Sequence, residues 1–190
     1  MVSDVLPCYV VCDVSFSMTG HVDEVNAGIR EFRGVVHADR RAAAEVRLCV
    51  VVFADRALVL RPLSPALDAA PPVVPRQESG SDFGAVFTFV RSLVERDVAE
   101  LKADEIGVRR PVLFFVSDGR ATDQDWPRAL ERLAESPARP EVVAFGLGVV
   151  DRQVLERIGT SRVFLGGDGV RLGIALASSV ARMVLRPDHV

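Results

Sequence analysis

The sequence is poor in the side chains that most often carry chemistry. It has three histidines, three cysteines, one tryptophan and one tyrosine, spread over 190 residues. Lysine is nearly missing: of 23 basic residues only Lys102 is not arginine, a codon signature of a GC-rich genome and not a chemical one. No credible Ser-His-Asp set exists, because no histidine has an orienting partner that the sequence places beside it. The odd cysteine count and the separation of Cys8 and Cys12, roughly 13 Å if they lie four residues apart on a strand, exclude a disulfide between those two. Without CxxC or histidine partners they do not form a zinc site either, and buried thiols of a reducing cytoplasm are expected. No apolar run approaches the ~20 residues of a membrane helix. The apolar opening Val5–Val14 contains Asp13 and lacks a basic leader, unlike a signal peptide, so a cytoplasmic location is expected. The net charge of −3, with both signs scattered, offers no basic face for nucleic acid. Glycine-rich turns occur at Gly146-Leu147-Gly148 and Gly166–Gly169, but neither matches a GxGxxG or GxxxxGKS loop. Left-handed turns at Gly148 and Gly169 are expected instead.

What is present is a chain 49% hydrophobic and 26% charged. That is the composition of a globular protein long enough to bury its apolar surface, and residues 1–190 read as one domain. Two periodicities alternate. Cys8–Val14, Val46–Phe53, Pro111–Val116, Glu141–Phe145 and Arg162–Leu165 are short, almost continuous apolar runs, as expected for strands covered on both faces. Between them lie helical spacings: Val22, Val25, Ile29, Phe32 and Val36; then Phe83 to Leu101; then Trp126, Leu130 and Leu133; then Val154, Leu155 and Ile158; and last Val170–Leu185. The link Ala54-Asp55-Arg56 is too short for a crossover, so Ala57–Leu60 is expected to return antiparallel as an edge strand. Ser64–Gly80 holds four prolines and little periodicity and reads as a surface loop. The expected fold is α/β: a mostly parallel, six-stranded, doubly wound sheet with one antiparallel edge strand and helices on both faces.

In such a sheet ligands sit at the carboxyl ends of the strands, where strand order reverses. Two strands end in polar clusters, Asp13-Val14-Ser15-Phe16-Ser17 and Ser117-Asp118-Gly119, and a third cluster, Ser79-Gly80-Ser81-Asp82, precedes the long helix. If the first and fourth strands are neighbours, the three loops share one crevice with carboxylates, hydroxyls and almost no cationic side chain. Adjacent buried carboxylates repel unless one is protonated or a cation joins them. A hard divalent ion such as Mg²⁺ takes oxygen ligands and keeps part of its shell for outside oxygens. Asp13 and Asp118 would supply charge, and Ser15, Ser17 and Ser81 neutral oxygen. Taken singly, Asp-x-Ser-x-Ser also fits a turn with a helix cap, and Asp118-Gly119 a simple turn.

These residues resemble the metal-ion-dependent adhesion site of von Willebrand factor A domains, whose pattern is Asp-x-Ser-x-Ser, a mid-chain Thr and a later Asp. Asp13, Ser15 and Ser17 match the first element, Ser81 stands at the Thr position, and Asp118 matches the last. The resemblance runs from about Pro7 to Leu185. Val25–Ile29, Gly80–Ala85 and Asp118–Asp123 look like the bacterial tellurite-resistance, TerY-like branch, although Phe16 and Arg120 stand where that branch often has Gly. No cysteine-rich stretch follows, so a zinc-binding tail of the kind some relatives carry is not expected. The resemblance implies a Mg²⁺- or Mn²⁺-dependent, non-enzymatic adaptor that captures an acidic side chain of a protein partner in tellurite or stress response, with no nucleic-acid or membrane partner. Acidic balance and small size fit a monomer. In some relatives the last helix, here Val170–Leu185, shifts on ligand binding.

Two other functional readings stand beside this one: a Mg²⁺-dependent phosphohydrolase, disfavoured because Ser15 occupies the place of a second aspartate, and a metal-free scaffold. Among the remaining polar residues, His21 is expected at the surface, since Mg²⁺ prefers oxygen. His37 is expected at a helix end. Thr122, Asp123 and Asp125 are expected to cap the helix that follows them, with Asp123 also within reach of the ion's surroundings. Trp126 is expected in the core.

Overall fold

The computed structural model describes residues 4–68, 70, 73–75 and 80–185. Its strands are β1 (Leu6–Asp13), β2 (Val46–Phe53), β3 (Ala57–Pro65), β4 (Val112–Ser117), β5 (Glu141–Gly146) and β6 (Arg162–Leu165). Its helices are α1 (Val22–Ala38), α2 (Arg40–Glu45), α3 (Phe83–Ala103), α4 (Trp126–Ala134), α5 (Arg152–Ile158) and α6 (Leu172–Leu185). The sheet runs β3-β2-β1-β4-β5-β6. All neighbours are parallel except β2 and β3, which form the expected antiparallel edge. Strand order reverses between β1 and β4, which pair from Cys8 opposite Val112 to Cys12 opposite Val116. The doubly wound α/β sheet expected from the alternation of apolar runs and helical spacings is therefore the one observed.

Every residue of β1 is buried, because both faces of the strand are covered. Side chains alternate between two cores. Cys8, Val10 and Cys12 of β1 join Val50, Phe114 and Phe145 beneath α1 and α6. Tyr9 and Val11 join Val51, Phe115 and Ala144 beneath α3, α4 and α5. The second core is built on aromatic rings: Phe83 lies edge-on to Phe115 at 5.0 Å between centroids and to Phe53 at 5.7 Å, and Phe53 stacks on Phe115 at 5.4 Å. Trp126 is part of this core, as expected, 6.3 Å from Phe83. The three cysteines are buried free thiols. Burial raises all of them, Cys49 to about 12, so none is a thiolate near neutral pH.

Several boundaries differ from expectation. β3 continues through Pro65, beyond the expected loop start at Ser64, and its edge position tolerates the prolines. Part of the expected surface loop is anchored: Asn26 of α1 accepts from the Val74 backbone N–H at 2.7 Å and donates back to its carbonyl, and Val74 and Ala66 are buried. Arg33 donates to the carbonyls of Ala66 and Leu67. The short α2 was not anticipated, because six residues give too little periodicity; Asp39 starts it by accepting from the N–H groups of Arg41 and Ala42. A 3₁₀ turn, Phe16–His21, precedes α1, and α6 begins at Leu172, not Val170. His37 lies in the last turn of α1, as expected.

Phe115 of β4 packs against three aromatic rings, those of Phe53, Phe83 and Phe87. Replacing it by Ala is expected to destabilise the protein by about 3–5 kcal/mol, read as a lowered urea midpoint with an unchanged slope.

Candidate metal centre

The parallel pairing of β1 and β4 brings Asp13 and Ser117 to the same end of the sheet. Asp13 is 1% exposed, and its carboxylate is the point on which the surrounding donors converge. Oδ1 accepts from the Ser15 backbone N–H at 2.9 Å, the tight turn typical of an Asp followed by Ser. Oδ2 accepts from the Ser81 hydroxyl at 2.9 Å and from the Ser117 hydroxyl at 2.7 Å. One carboxylate thus ties together the loop after β1, the loop before α3 and the end of β4. Burial pushes the Asp13 carboxyl above the usual carboxylate range, opposed by the hydrogen bonds from Ser15, Ser117 and Ser81.

The remaining expected residues lie on the same three loops. Ser15 is buried, and its hydroxyl lies 3.4 Å from that of Ser17, which is exposed. Ser81 is held by Thr122: the Ser81 N–H donates to the Thr122 hydroxyl at 3.2 Å, and the Thr122 N–H donates to the Ser81 carbonyl at 2.8 Å. Asp118 is buried; its Oδ1 accepts from the Arg120 backbone N–H at 3.0 Å. Its backbone carbonyl accepts from the Asp151 N–H at 2.7 Å, which fixes the loop against the start of α5. Gly119 has φ +82°, and a Cβ there would meet the Asp151 carbonyl at 2.8 Å, so both the backbone conformation and the space require glycine. Ser79, the first member of the third polar cluster, lies outside the described residues.

One expectation needs correction, and two residues without an assigned role in the sequence reading join the site. Thr122 and Asp123 do not cap α4. Asp123 reaches across to α3, where its carboxylate accepts from the N–H groups of Phe83 at 2.8 Å and Gly84 at 3.1 Å, and Asp125 takes the N-cap position of α4 without a side-chain bond. Spacing to the next helix suggested local caps; the free N–H groups of a different helix start compete for the same carboxylate. The crevice is also not free of cations: Arg120 Nε lies 3.9 Å from Asp118 Oδ2. Finally, Ser117 belongs to the centre. The sequence places it in the polar cluster that ends β4 but gives it no role; the strand pairing is what brings its hydroxyl to Asp13. His21 sits before α1, 3.7 Å from Glu24, and its ring packs where a Cβ on Gly148 would stand, at 2.7 Å. It is a partly exposed residue, as expected, and Gly148 has φ +74°. Gly169 is likewise left-handed, as expected.

The donor set is all oxygen: two carboxylates and the hydroxyls of Ser15, Ser17 and Ser81. Among the described residues no three His, Cys, Asp or Glu side chains gather as a metal-ligand cluster, so a thiolate- or imidazole-rich centre is not built here. A buried carboxylate that accepts from neutral hydroxyls, with a second buried carboxylate on the loop after the adjoining strand, fits a hard divalent cation.

Solved structures share this fold. The chain superimposes on a von Willebrand factor type A protein from Catenulispora acidiphila with a TM-score of 0.63 at 14% identity, covering 96% of this chain and 42% of that one. It superimposes on proximal thread matrix protein 1 from the mussel byssus, solved with a zinc-occupied MIDAS motif, with a TM-score of 0.63 at 19% identity over 95% of this chain and 48% of that one. Against manganese-loaded Plasmodium vivax TRAP protein the TM-score is 0.59 at 11% identity, over 93% and 73%. The chain thus spans less than half the length of the first two. No protein-family model matches the chain, and no curated protein sequence does. Together the sheet order and these superpositions define the class: a von Willebrand factor A-like α/β fold.

Ser117→Ala removes a donor to Asp13 and the acceptor of the Gly119 N–H, which lies 3.0 Å from the Ser117 hydroxyl. A loss of about 1–3 kcal/mol is expected, measured by urea unfolding in the presence of chelator.

Proposed function

We propose that the chain is a metal-dependent protein-binding module, whose cation is held by Asp13, Ser15, Ser17, Ser81 and Asp118. The observation that carries this reading is the convergence of the Ser81 and Ser117 hydroxyls on one buried oxygen of Asp13. When bound, Mg²⁺ or Mn²⁺ supplies a Lewis-acidic position for an oxygen from outside the chain. Asp13 orients the serine hydroxyls. Thr122 and Asp123 hold the Ser81 loop and the start of α3 in place. Asp118 supplies the second negative charge. With only two carboxylates around it, the centre keeps its attraction for a further anion, and an acidic side chain of a protein partner satisfies it.

Metal-loaded structures of the same fold, with manganese in one and zinc in a MIDAS motif in another, support the metal half of the reading. A pilus adhesin, SpaC from Lactobacillus rhamnosus, has the same fold at a TM-score of 0.72 and supports the binding half. The finer reading is a monomeric, cytoplasmic, non-enzymatic adaptor of bacterial tellurite or stress response, without nucleic-acid or membrane partners. The adaptor role and the pathway rest on the sequence resemblance, the compartment, the monomer and the exclusion of nucleic-acid and membrane partners on charge, size, cysteine use and hydropathy; among the described residues no helix is long and apolar enough to cross a membrane. A phosphohydrolase is the weaker reading. Ser15 replaces the second aspartate such chemistry needs. Lys102 lines a cleft with Arg110 and Pro111 at the amino end of β4, away from Ser117.

Mg²⁺ or Mn²⁺ at ten times its Kd is expected to stabilise the protein by about 1.4 kcal/mol, a rise in Tm of about 3–6 °C, and Asp13→Ala abolishes that shift. No shift at millimolar metal favours the metal-free scaffold. Metal-dependent turnover of generic phosphoesters that Asp13→Asn eliminates would establish the enzyme instead.

A further inference from the structure

The cation beside the centre is held loosely. The Arg120 backbone N–H donates to Asp118 Oδ1 at 3.0 Å, which fixes the residue's position. Its guanidinium Nε, however, stands 3.9 Å from Asp118 Oδ2, inside ion-pair range but beyond a hydrogen bond. The Arg120 side chain is 55% exposed, whereas that of Asp118 is 3% exposed. A pair of this length, with no hydrogen bond between the side chains and its cation half in solvent, is weak and screened by salt. A dication and a guanidinium both favour the Asp118 carboxylate, and they repel each other. With the cation in place, Asp13 and Asp118 cancel its charge and Arg120 leaves the centre with one net positive charge, which one incoming carboxylate neutralises.

The same rim exposes large apolar surface. Phe16, between Ser15 and Ser17, is 71% exposed, although most phenylalanines of this chain are fully buried. Val149, 76% exposed, follows Leu147, whose N–H donates to the Ser117 carbonyl at 3.2 Å. An aromatic ring and an arginine flanking a charged centre are the residue types that anchor protein interfaces.

We propose that Arg120 is a displaceable counter-charge: it competes with the cation for Asp118 in the free protein and turns to the partner's carboxylate in the complex, while Phe16 receives an apolar side chain next to that carboxylate. The proposal rests on the metal-dependent reading above. The preferred partner segment alternates acidic and apolar residues. Because the couplings are reciprocal, a carboxylate that draws Arg120 away from Asp118 raises metal affinity, and bound metal raises affinity for the carboxylate.

The test compares the full chain with Arg120→Ala, Arg120→Lys and Phe16→Ser. Mn²⁺ binding is followed by calorimetry, and binding of a fluorescein-labelled peptide of alternating leucine and glutamate by polarisation in saturating Mn²⁺. Arg120→Ala is expected to bind Mn²⁺ about five- to tenfold more tightly at low salt, with the gap closing near ~0.5 M salt. Arg120→Lys keeps the weaker affinity. The same Arg120→Ala chain is expected to bind the peptide at least about fivefold more weakly, the size expected for a lost charge-assisted contact, and Phe16→Ser weakens the peptide without changing Mn²⁺ affinity. Opposite signs for metal and peptide are the signature, since a merely structural role of Arg120 moves both the same way. Equal Mn²⁺ affinity in the original and Arg120→Ala chains overturns the proposal and leaves the metal site standing, as does peptide binding that Arg120→Ala leaves unchanged. Failure of every chain to bind Mn²⁺ overturns the metal-dependent reading itself, and the proposal with it.

Discussion

A carboxylate removed almost wholly from water needs compensation, and the architecture around Asp13 supplies it from three directions. An unpaired buried charge is costly enough that a protein normally neutralises it or surrounds it with donors. Here the Ser15 N–H comes from the turn that follows β1, the Ser117 hydroxyl from the end of β4, and the Ser81 hydroxyl from the loop before α3. None of these donors carries charge. The carboxylate is therefore satisfied in hydrogen bonds while burial still opposes its ionised form. In the proposed function a divalent cation would relieve that opposition.

The scaffold exists to hold this junction still. The strand-order reversal puts β1 beside β4, so the donor from Ser117 needs no long loop to reach Asp13. Asp123 fastens the loop after β4 to the first turn of α3, and Thr122 pairs with Ser81 through two hydrogen bonds. The Asp82 N–H in turn bonds the Ala54 carbonyl at the end of β2. Each of the three loops is thus fixed by backbone bonds to a neighbour, which is how a site acquires defined geometry from short polar side chains.

Much of this was readable in the sequence because strong patterns have local causes. Short, β-branched, mostly apolar runs such as Val46–Phe53 suit strands covered on both sides, and the three-residue link after Phe53 forces an antiparallel partner. Asp13, Ser15 and Ser17 were visible as a spaced set, and Ser81 and Asp118 as polar residues at the right element ends. What was not readable depends on tertiary pairing. Ser117 becomes a partner of Asp13 only across the sheet. Asp123 has two helix starts within reach and serves the one more distant in sequence. Arg120 has no pattern that announces its place beside Asp118. The helix α2 is too short for any periodicity, and the anchoring of Val74 by Asn26 joins residues 48 apart in sequence.

The central claim is that oxygens from three loops hold one hard cation at the Asp13 carboxylate. A crystal structure of the chain grown with Mn²⁺, read by anomalous scattering at the manganese edge, addresses it directly. The account predicts a single strong peak bounded by Asp13, Ser15, Ser17, Ser81 and Asp118. A crevice without a peak, or manganese bound only elsewhere on the surface, would contradict it.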